Sequence, residues 1–576
     1  MSEDRRVAWI DQAWRVLHAI PTGTSVDQLE ARWNKHRQRQ RPVAAIFGAY
    51  DAGKSSLLKR LLFEDGAAIP EWLTVSGRRE TFSVDEADGA SWIFRDSPGI
   101  AGGNAVHDQA AIESLELADL VIWALPPQLV TSEKELFAAI FTGSRFGVSG
   151  AEVSAALVAV ILRIDEAGID AAANPAGFLQ LCTGKQAEFT ALLASIGLAS
   201  PQWGIFPISA DPYQGVGNGP PDAGTYAMGK GWDGVPPLQA ALKQAAGQAG
   251  ELRILAGLRY LSSIITELTR SILKERAERE EALRTSRDEA ERFALWRANL
   301  EALHGKWKAA LQRVVEDELL SASRTGTAAA SETLHGRLIT SIDRWGEQAY
   351  AEFEHLAASA QQELGQRFAS PSMERLKQLV REMGEAEGSD ARSGIDAKLM
   401  KHAGRIGNTF REAFNAYVNV DLGMSFEDAT KHIQEARKSG KSIEIFFETS
   451  NPFGSLKNAQ QASNYVKWGQ AMDAAVPVVT QLGGIIYEVS GEIMSQQEAD
   501  KKQELRRKLR DTLRQLTIEV EDEAMTAVEK MYGAFSQWID EREQAYMVIG
   551  ASIEAQLVAL GEYAATLDGL MQERLA

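Results

Sequence analysis

The chain has 576 residues and a net charge of -18, with 45% apolar and 24% charged residues. That length exceeds a single core and predicts two to four domains, while the ordinary apolar and charged fractions exclude wholesale disorder. The acidic balance argues against nucleic-acid binding through bulk electrostatics, so no nucleic-acid partner is expected. One cysteine, Cys182, excludes an intramolecular disulfide framework and a cysteine-based metal site, and it suits a reducing cytosol. The opening MSEDRRVAWIDQAW has acids where an export signal needs a basic flank and an apolar run, which predicts a cytoplasmic location. No window offers the roughly 18 uninterrupted apolar residues of a membrane-spanning helix.

In chain order, residues 5–40 read as one or two amphipathic helices with Trp9, Ile10, Trp14, Leu17 and Ile20 on one stripe. Lying ahead of any strand, they must pack outside a sheet or join helices from elsewhere in the chain. The basic run Lys35–Arg41 reads as a solvated helix end, with contact to a lipid or an acidic partner as the lesser reading. This N-terminal region is assigned to residues 1–42.

Residues 43–250 alternate apolar strands with helical text, the pattern of a doubly wound, mainly parallel α/β sheet. Strands are expected at Val43–Phe47, Trp92–Phe94, Leu120–Leu125, Leu157–Ile164 and Ile205–Ile208. Asp211–Pro237 is rich in glycine and proline and reads as a surface excursion without an element.

The first strand runs into Gly48-Ala49-Tyr50-Asp51-Ala52-Gly53-Lys54-Ser55-Ser56 and then a helix, which is G-x-x-x-x-G-K-[ST] in a strand–loop–helix setting. Gly48 and Gly53 let the backbone wrap a phosphate chain, so that amides of the Tyr50–Ser56 stretch and a helix N-terminus point at it. Lys54 can reach β- and γ-phosphates, and the Ser55 hydroxyl can complete the shell of a Mg²⁺ ion.

Asp96-Ser97-Pro98-Gly99 follows a strand 42 residues after Lys54 and matches D-x-x-G. Asp96 can hold Mg²⁺ through a water, and the Gly99 amide can sense the γ-phosphate. Thr81 is favoured over Thr74 and Ser76 as the switch residue on the γ-phosphate and metal, because strand-like alternation from Phe82 to Val84 follows it. At the end of the fourth expected strand, Leu162-Arg163-Ile164-Asp165 stands where a guanine-reading N/T-K-x-D would be. Asp165 can accept the guanine N1–H and N2–H bonds, and the Arg163 stem can lie over the base. Ser209-Ala210 resembles the short loop whose backbone amide backs the guanine carbonyl.

From about Leu252 onward the text is helical, giving a large all-α bundle or stalk region assigned to residues 251–576. Ile254, Leu258, Leu261, Ile265, Leu268 and Ile272 form one packing seam, and Leu505, Leu509, Leu513, Leu516 and Val520 form another. Breaks are expected at Gly384–Gly394 and Asn451–Gly454. Residues 471–494 (AMDAAVPVVTQLGGIIYEVSGEIM) divide at Leu482-Gly483-Gly484 into two apolar arms of about ten residues, too short to cross a bilayer. They read either as a buried pair of bundle helices or as a tip that dips into one leaflet. Ile443–Phe447 allows the same two readings.

Taken together, these motifs resemble the translation-factor-related GTPases and, within them, the bacterial dynamin-like proteins. The resemblance is carried by the doubled serine of GKSS, by apolar Ile100 directly after D-x-x-G, by ADLVIWALPPQLVTSEKELFAAI (Ala118–Ile140) and by Gly234-Val235-Pro236-Pro237-Leu238. It implies GTP hydrolysis with Mg²⁺, a homodimer formed through the nucleotide domain, and a helical stalk that meets a membrane peripherally at the inner face. Lys54, Thr81 and Asp51 would be the catalytic set. Family members usually have serine or glutamine at the place of Asp51, where the residue works through a monovalent cation. A carboxylate there either binds such a cation directly or repels the phosphates. The alternative is a slow or inactive nucleotide switch whose helices bind a protein partner.

Overall fold

The computed structural model describes residues 2–20, 25–49, 51–73, 85–97, 114–129, 134–195, 197–217, 219–325, 330–388 and 499–575. Tyr50, Thr74, Ser76, Thr81, Gly99, Ile100 and the segments 443–447, 451–454 and 471–494 lie outside them.

Among the described residues, six strands form one sheet in the order β2-β3-β1-β4-β5-β6. They are β1 (Val43–Gly48), β2 (Asp85–Asp88), β3 (Ile93–Asp96), β4 (Leu120–Leu125), β5 (Leu157–Leu162) and β6 (Ile205–Ile208). Only β2 runs antiparallel to its neighbour; the other pairings are parallel. Every residue of β1, β4 and β5 is buried, as expected of central parallel strands covered on both faces. Such strands carry continuous apolar runs, which is why they are visible in the sequence. β2, with the sequence DEAD, was not expected. It is an edge strand that buries only Ala87, and its Glu86 and Asp88 pair with neighbouring arginines instead.

The helix after β1, α3 (Lys54–Glu64), starts at Gly53, whose φ of 88° lies in the left-handed region. Leu57, Leu58, Leu61 and Leu62 bury its inner face, each contributing about 1.5–3 kcal/mol. It stops at Asp65-Gly66, where Gly66 has φ 65° and the Ala67 amide donates to the Leu62 carbonyl.

The N-terminal helices α1 (Glu3–Ala19) and α2 (Val26–Arg37) take both of the anticipated routes. All five stripe residues of the first are buried. The Trp9 indole donates to the Leu570 carbonyl (2.8 Å) near the end of the C-terminal helix, and Trp14 packs near Tyr260. The second helix reaches the sheet. His36 Nε2 lies 2.9 Å from Asp119 Oδ1, and Asp119 Oδ2 accepts the Val43 amide at 2.7 Å. The basic run is solvated only in part: Lys35, Arg37, Gln38 and Gln40 are exposed. His36 is buried, while Arg39 and Arg41 pair with Glu86 and Asp88 of the edge strand.

Asp211–Pro237 also differs from expectation, because it contains the helix Ala223–Gly229. The Asp222 carboxylate caps it by accepting the Thr225 amide at 2.7 Å, and Tyr226 buries its ring.

By contacts the chain divides into two compact units. One comprises Met1–Glu275, Ser393–Ile395 and Leu560–Ala576; the other comprises Arg276–Arg392 and Asp396–Ala559. In the first unit Leu258, Leu261, Ile265 and Ile272 of the predicted seam are buried. The Arg574 guanidinium donates to the Gly147 carbonyl and the Ser262 hydroxyl and pairs with Glu152. The described residues of the second unit are helical apart from the turn at Ala369-Ser370. Its core mixes aliphatic side chains with aromatic ones: Trp307, Trp345, Phe353 and Phe535 are buried, and the Trp345 indole donates to the Trp307 carbonyl at 3.1 Å. The helix Pro371–Gly388 continues through Gly384, so the expected break does not begin there. The second seam falls on the helix Ala499–Leu575, and its side chains lie outside the described residues. Among the described residues, no helix is long and apolar enough to cross a membrane.

Asp119 is fully buried and holds the first residue of β1, the His36 ring and, at 3.7 Å, Arg253. Asp119→Ala leaves those partners uncompensated and is expected to cost about 3–5 kcal/mol. The readout is a lower urea midpoint for the full chain; an unchanged midpoint would mean the cluster carries no stability.

Candidate nucleotide site

The site forms at the carboxyl ends of the strands, where ligands of open α/β sheets bind. Gly48 closes β1 against β4, and a Cβ there would stand 2.0 Å from the Ala124 carbonyl oxygen. Only glycine permits that approach. Gly53 then takes the left-handed turn that aims the amides at the start of α3 into the loop.

Lys54 is 8% exposed. Its ammonium donates to the Ala49 carbonyl at 2.9 Å and the Gly48 carbonyl at 3.4 Å, within the phosphate loop itself. Burial pushes its pKa down to about 8, against the opposing pull of Asp96 and Asp51. Ser55 and Ser56, half-buried, follow in the first turn.

β3 pairs with β1 so that Asp96 lies beside Ile46. This register carries Asp96 to Ser55, whose hydroxyl donates to Asp96 Oδ2 at 3.3 Å. The other oxygen, Oδ1, is buried with no hydrogen-bond partner among the described residues. Burial pushes the Asp96 pKa up to about 6, with Lys54 and the Ser55 hydroxyl acting the other way. A hard divalent cation takes oxygen donors of this kind, so Ser55 and Asp96 fit a Mg²⁺ ion. The adjacent Ser97 hydroxyl donates to the Ile46 carbonyl at 2.7 Å and locks the strand end.

β5 ends at Leu162, shorter than expected, because Arg163 turns left-handed (φ 56°) into the short 3-10 turn Ile164–Glu166. Leu162 is buried in the strand and packs rather than bonds. The Arg163 guanidinium reaches Asp51 of the phosphate loop, with Nη2–Oδ1 at 2.8 Å and Nη1–Oδ2 at 3.4 Å. Asp165 Oδ2 accepts the Tyr213 amide at 2.9 Å. Tyr213 follows shortly after Ser209-Ala210, so the two expected base loops are tied to each other. Ser209 and Ala210 are buried, and the Ser209 amide donates to the Asp233 carbonyl at 2.9 Å.

Gly48, Asp51, Ala52, Gly53, Lys54, Ser55, Ser56, Asp96, Arg163, Asp165, Ser209 and Ala210 thus cluster around connected loops, whereas Tyr50, Thr81 and Gly99 fall outside the described residues. Sequence reasoning missed the supports behind them. Arg60, on the inner side of α3, pairs with Asp233 (2.7 Å) and Glu64 (2.9 Å) and lies over the Tyr226 ring at 4.2 Å. Lys59 donates to the Gly217 and Gly219 carbonyls at 3.2 and 3.1 Å. The signal available was Lys59-Arg60 inside a leucine-rich helix, where exposed charge would be out of place.

Residues 43–144 match the model of the family described as 50S ribosome-binding GTPase. This part of the chain is a GTPase domain. No curated protein matches the chain. Similar solved structures include the LeoA bacterial dynamin GTPase from ETEC, 15% identical over 89% of this chain and 98% of that one, with a TM-score of 0.28. An oligomerised bacterial dynamin pair, described as a mechanism for long-range sensing and tethering of membranes, is 12% identical over 95% of this chain and 90% of that one (TM-score 0.46). A bacterial selenocysteine-specific elongation factor is 18% identical over 36% of this chain and 29% of that one (TM-score 0.25). Likenesses at these scores establish no shared activity.

The pKa values of buried Lys54 and Asp96 set an expected pH window. Below about 6 Asp96 is protonated and loses its charge for a cation, and above about 8 Lys54 loses its proton and its charge for phosphate. Affinity of the free chain for GTP with magnesium is expected to be highest between those values, as measured by calorimetry across pH. A profile flat through both would contradict the assignment.

Proposed function

We propose that the chain is a magnesium-dependent GTPase of the bacterial dynamin type, coupling hydrolysis to pairing of its nucleotide domains and to movement of its helical region. The observation that carries the reading is the convergence of Lys54, Ser55 and Asp96 at the mouth of the sheet. The dynamin character rests on the motif resemblance and on the placement of helical segments on both sides of the nucleotide domain.

In this reading Lys54 holds the β- and γ-phosphates, and the amides of the phosphate loop and of α3 cradle the chain between them. Ser55 and Asp96 would hold the metal, with Thr81 closing over it and Gly99 sensing the γ-phosphate. A bound Mg²⁺ ion supplies charge stabilisation on the β- and γ-oxygens. Asp165 reads the guanine edge and the Ala210 amide backs the base carbonyl. Leu162 contributes packing alone, so discrimination falls on Asp165 and the Ser209-Ala210 loop. With Ile100 after D-x-x-G, no side chain at that place orients water, and positioning falls to backbone, to Thr81 or to a partner subunit. Low basal turnover that rises on self-association follows, since phosphoryl transfer is chiefly positioning and charge stabilisation.

A slow or inactive switch is the second reading, favoured by the carboxylate of Asp51 in the phosphate loop. Phosphate release with GTP and with ATP separates the two. The enzyme reading expects GTP preference, turnover per molecule that grows with protein concentration, and a loss of about 100-fold or more in Lys54→Ala. Turnover no faster than that variant's favours the switch, and a flat concentration profile removes the pairing step. Peripheral membrane contact expects the full chain to sediment with anionic vesicles; recovery wholly in the supernatant contradicts it.

A further inference from the structure

The ion pair between Asp51 and Arg163 spans 112 residues of sequence and joins the phosphate loop to the base loop. Both residues have left-handed backbones, with φ of 57° and 56°, a conformation that non-glycine residues seldom adopt. The Arg163 stem crosses the phosphate loop closely enough that a Cβ on Gly53 would lie 3.7 Å from its Nε and 3.8 Å from its Cγ. The two planar groups meet fork to fork, at 2.8 and 3.4 Å, an arrangement a lysine could not reproduce. Glu166 is the other carboxylate nearby, 4.0 Å from Arg163 Nε, and it is engaged by the Gln214 amide.

The pair is exposed, with Arg163 36% and Asp51 61% accessible, so its contribution to fold stability is small. Its consequence is local charge. The Asp51 carboxylate is close enough to act on the Lys54 ammonium, and it would therefore act on a polyanion gripped by that ammonium. An anion in a phosphate loop repels its ligand unless something cancels it.

We propose that Arg163 is the counter-charge of the phosphate loop, a positioning residue that neutralises Asp51 so that a nucleoside polyphosphate can settle on Lys54. This rests on the reading of the site as a guanine-nucleotide site. It gives the base loop a second role, because base recognition and phosphate affinity are then joined through one side chain.

The test measures equilibrium affinity of the full-length chain for GDP and for a non-hydrolysable GTP analogue with magnesium, at low and high salt, with Lys54→Ala as the control for the site. Arg163→Ala is expected to weaken both nucleotides by about ten-fold at low salt and by less at high salt. Arg163→Lys should fall between it and the parent. Adding Asp51→Asn to Arg163→Ala should recover most of the lost affinity, because the uncompensated anion is gone. Far-ultraviolet circular dichroism of each variant, expected to match the parent, separates charge from misfolding. If Arg163→Ala binds as the parent does, or if the double variant stays as weak as the single, Arg163 is not the counter-charge, and the nucleotide site stands without it. If the parent itself shows no Lys54-dependent binding, the site reading falls and this proposal with it.

Discussion

The constraint on which this structure turns is a buried ammonium. Lys54 sits at the start of a helix, almost without solvent, with two main-chain carbonyls of its own loop as hydrogen-bond partners. Taking a cation out of water is costly, and the fall of its pKa to about 8 records that cost. Asp96 records the reverse, an acid held at about 6 by burial. Two groups strained in opposite directions, within one electrostatic neighbourhood, are the arrangement that an anionic ligand and a cation relieve together.

Much of the surrounding fold serves to hold that arrangement. β1 delivers the loop, and its first amide is fixed by Asp119, itself gripped by His36 from the N-terminal helices. β3 delivers Asp96 in register with Ile46. Behind α3, Arg60 and Lys59 turn inward to Asp233, Glu64 and the carbonyls of Gly217 and Gly219. Because the Asp233 carbonyl also accepts the Ser209 amide, the helix that carries Lys54 and the loop that would back the base share one support. A shift of either is felt by the other.

The parts of this design that could be read from the sequence are those governed by local pattern. β1, β4 and β5 are continuous apolar runs because both faces are covered, and the phosphate loop is spelled by glycines, one needed for the close approach to Ala124 and the other for a left-handed turn. The stripe from Trp9 to Ile20 is helical periodicity and proved to be a buried face. What escaped detection depends on pairing at long range. DEAD carries no apolar alternation, and only the neighbouring Arg39, Arg41 and Arg95 explain an acidic edge strand. His36 within a basic run looks solvated until Asp119 is placed beneath it. The meeting of Asp51 with Arg163 is set by two left-handed residues on separate loops, and no spacing rule predicts it.

The most direct test of the central claim is a crystal structure of the full chain with magnesium and a non-hydrolysable GTP analogue. The account predicts the γ-phosphate against Lys54 Nζ, with the metal at about 2.0–2.1 Å from Ser55 Oγ and Asp96 facing the metal's coordination shell. It also places the guanine edge on Asp165. A nucleotide seated elsewhere, or a Lys54 still donating to the Gly48 and Ala49 carbonyls with the analogue bound, would contradict it.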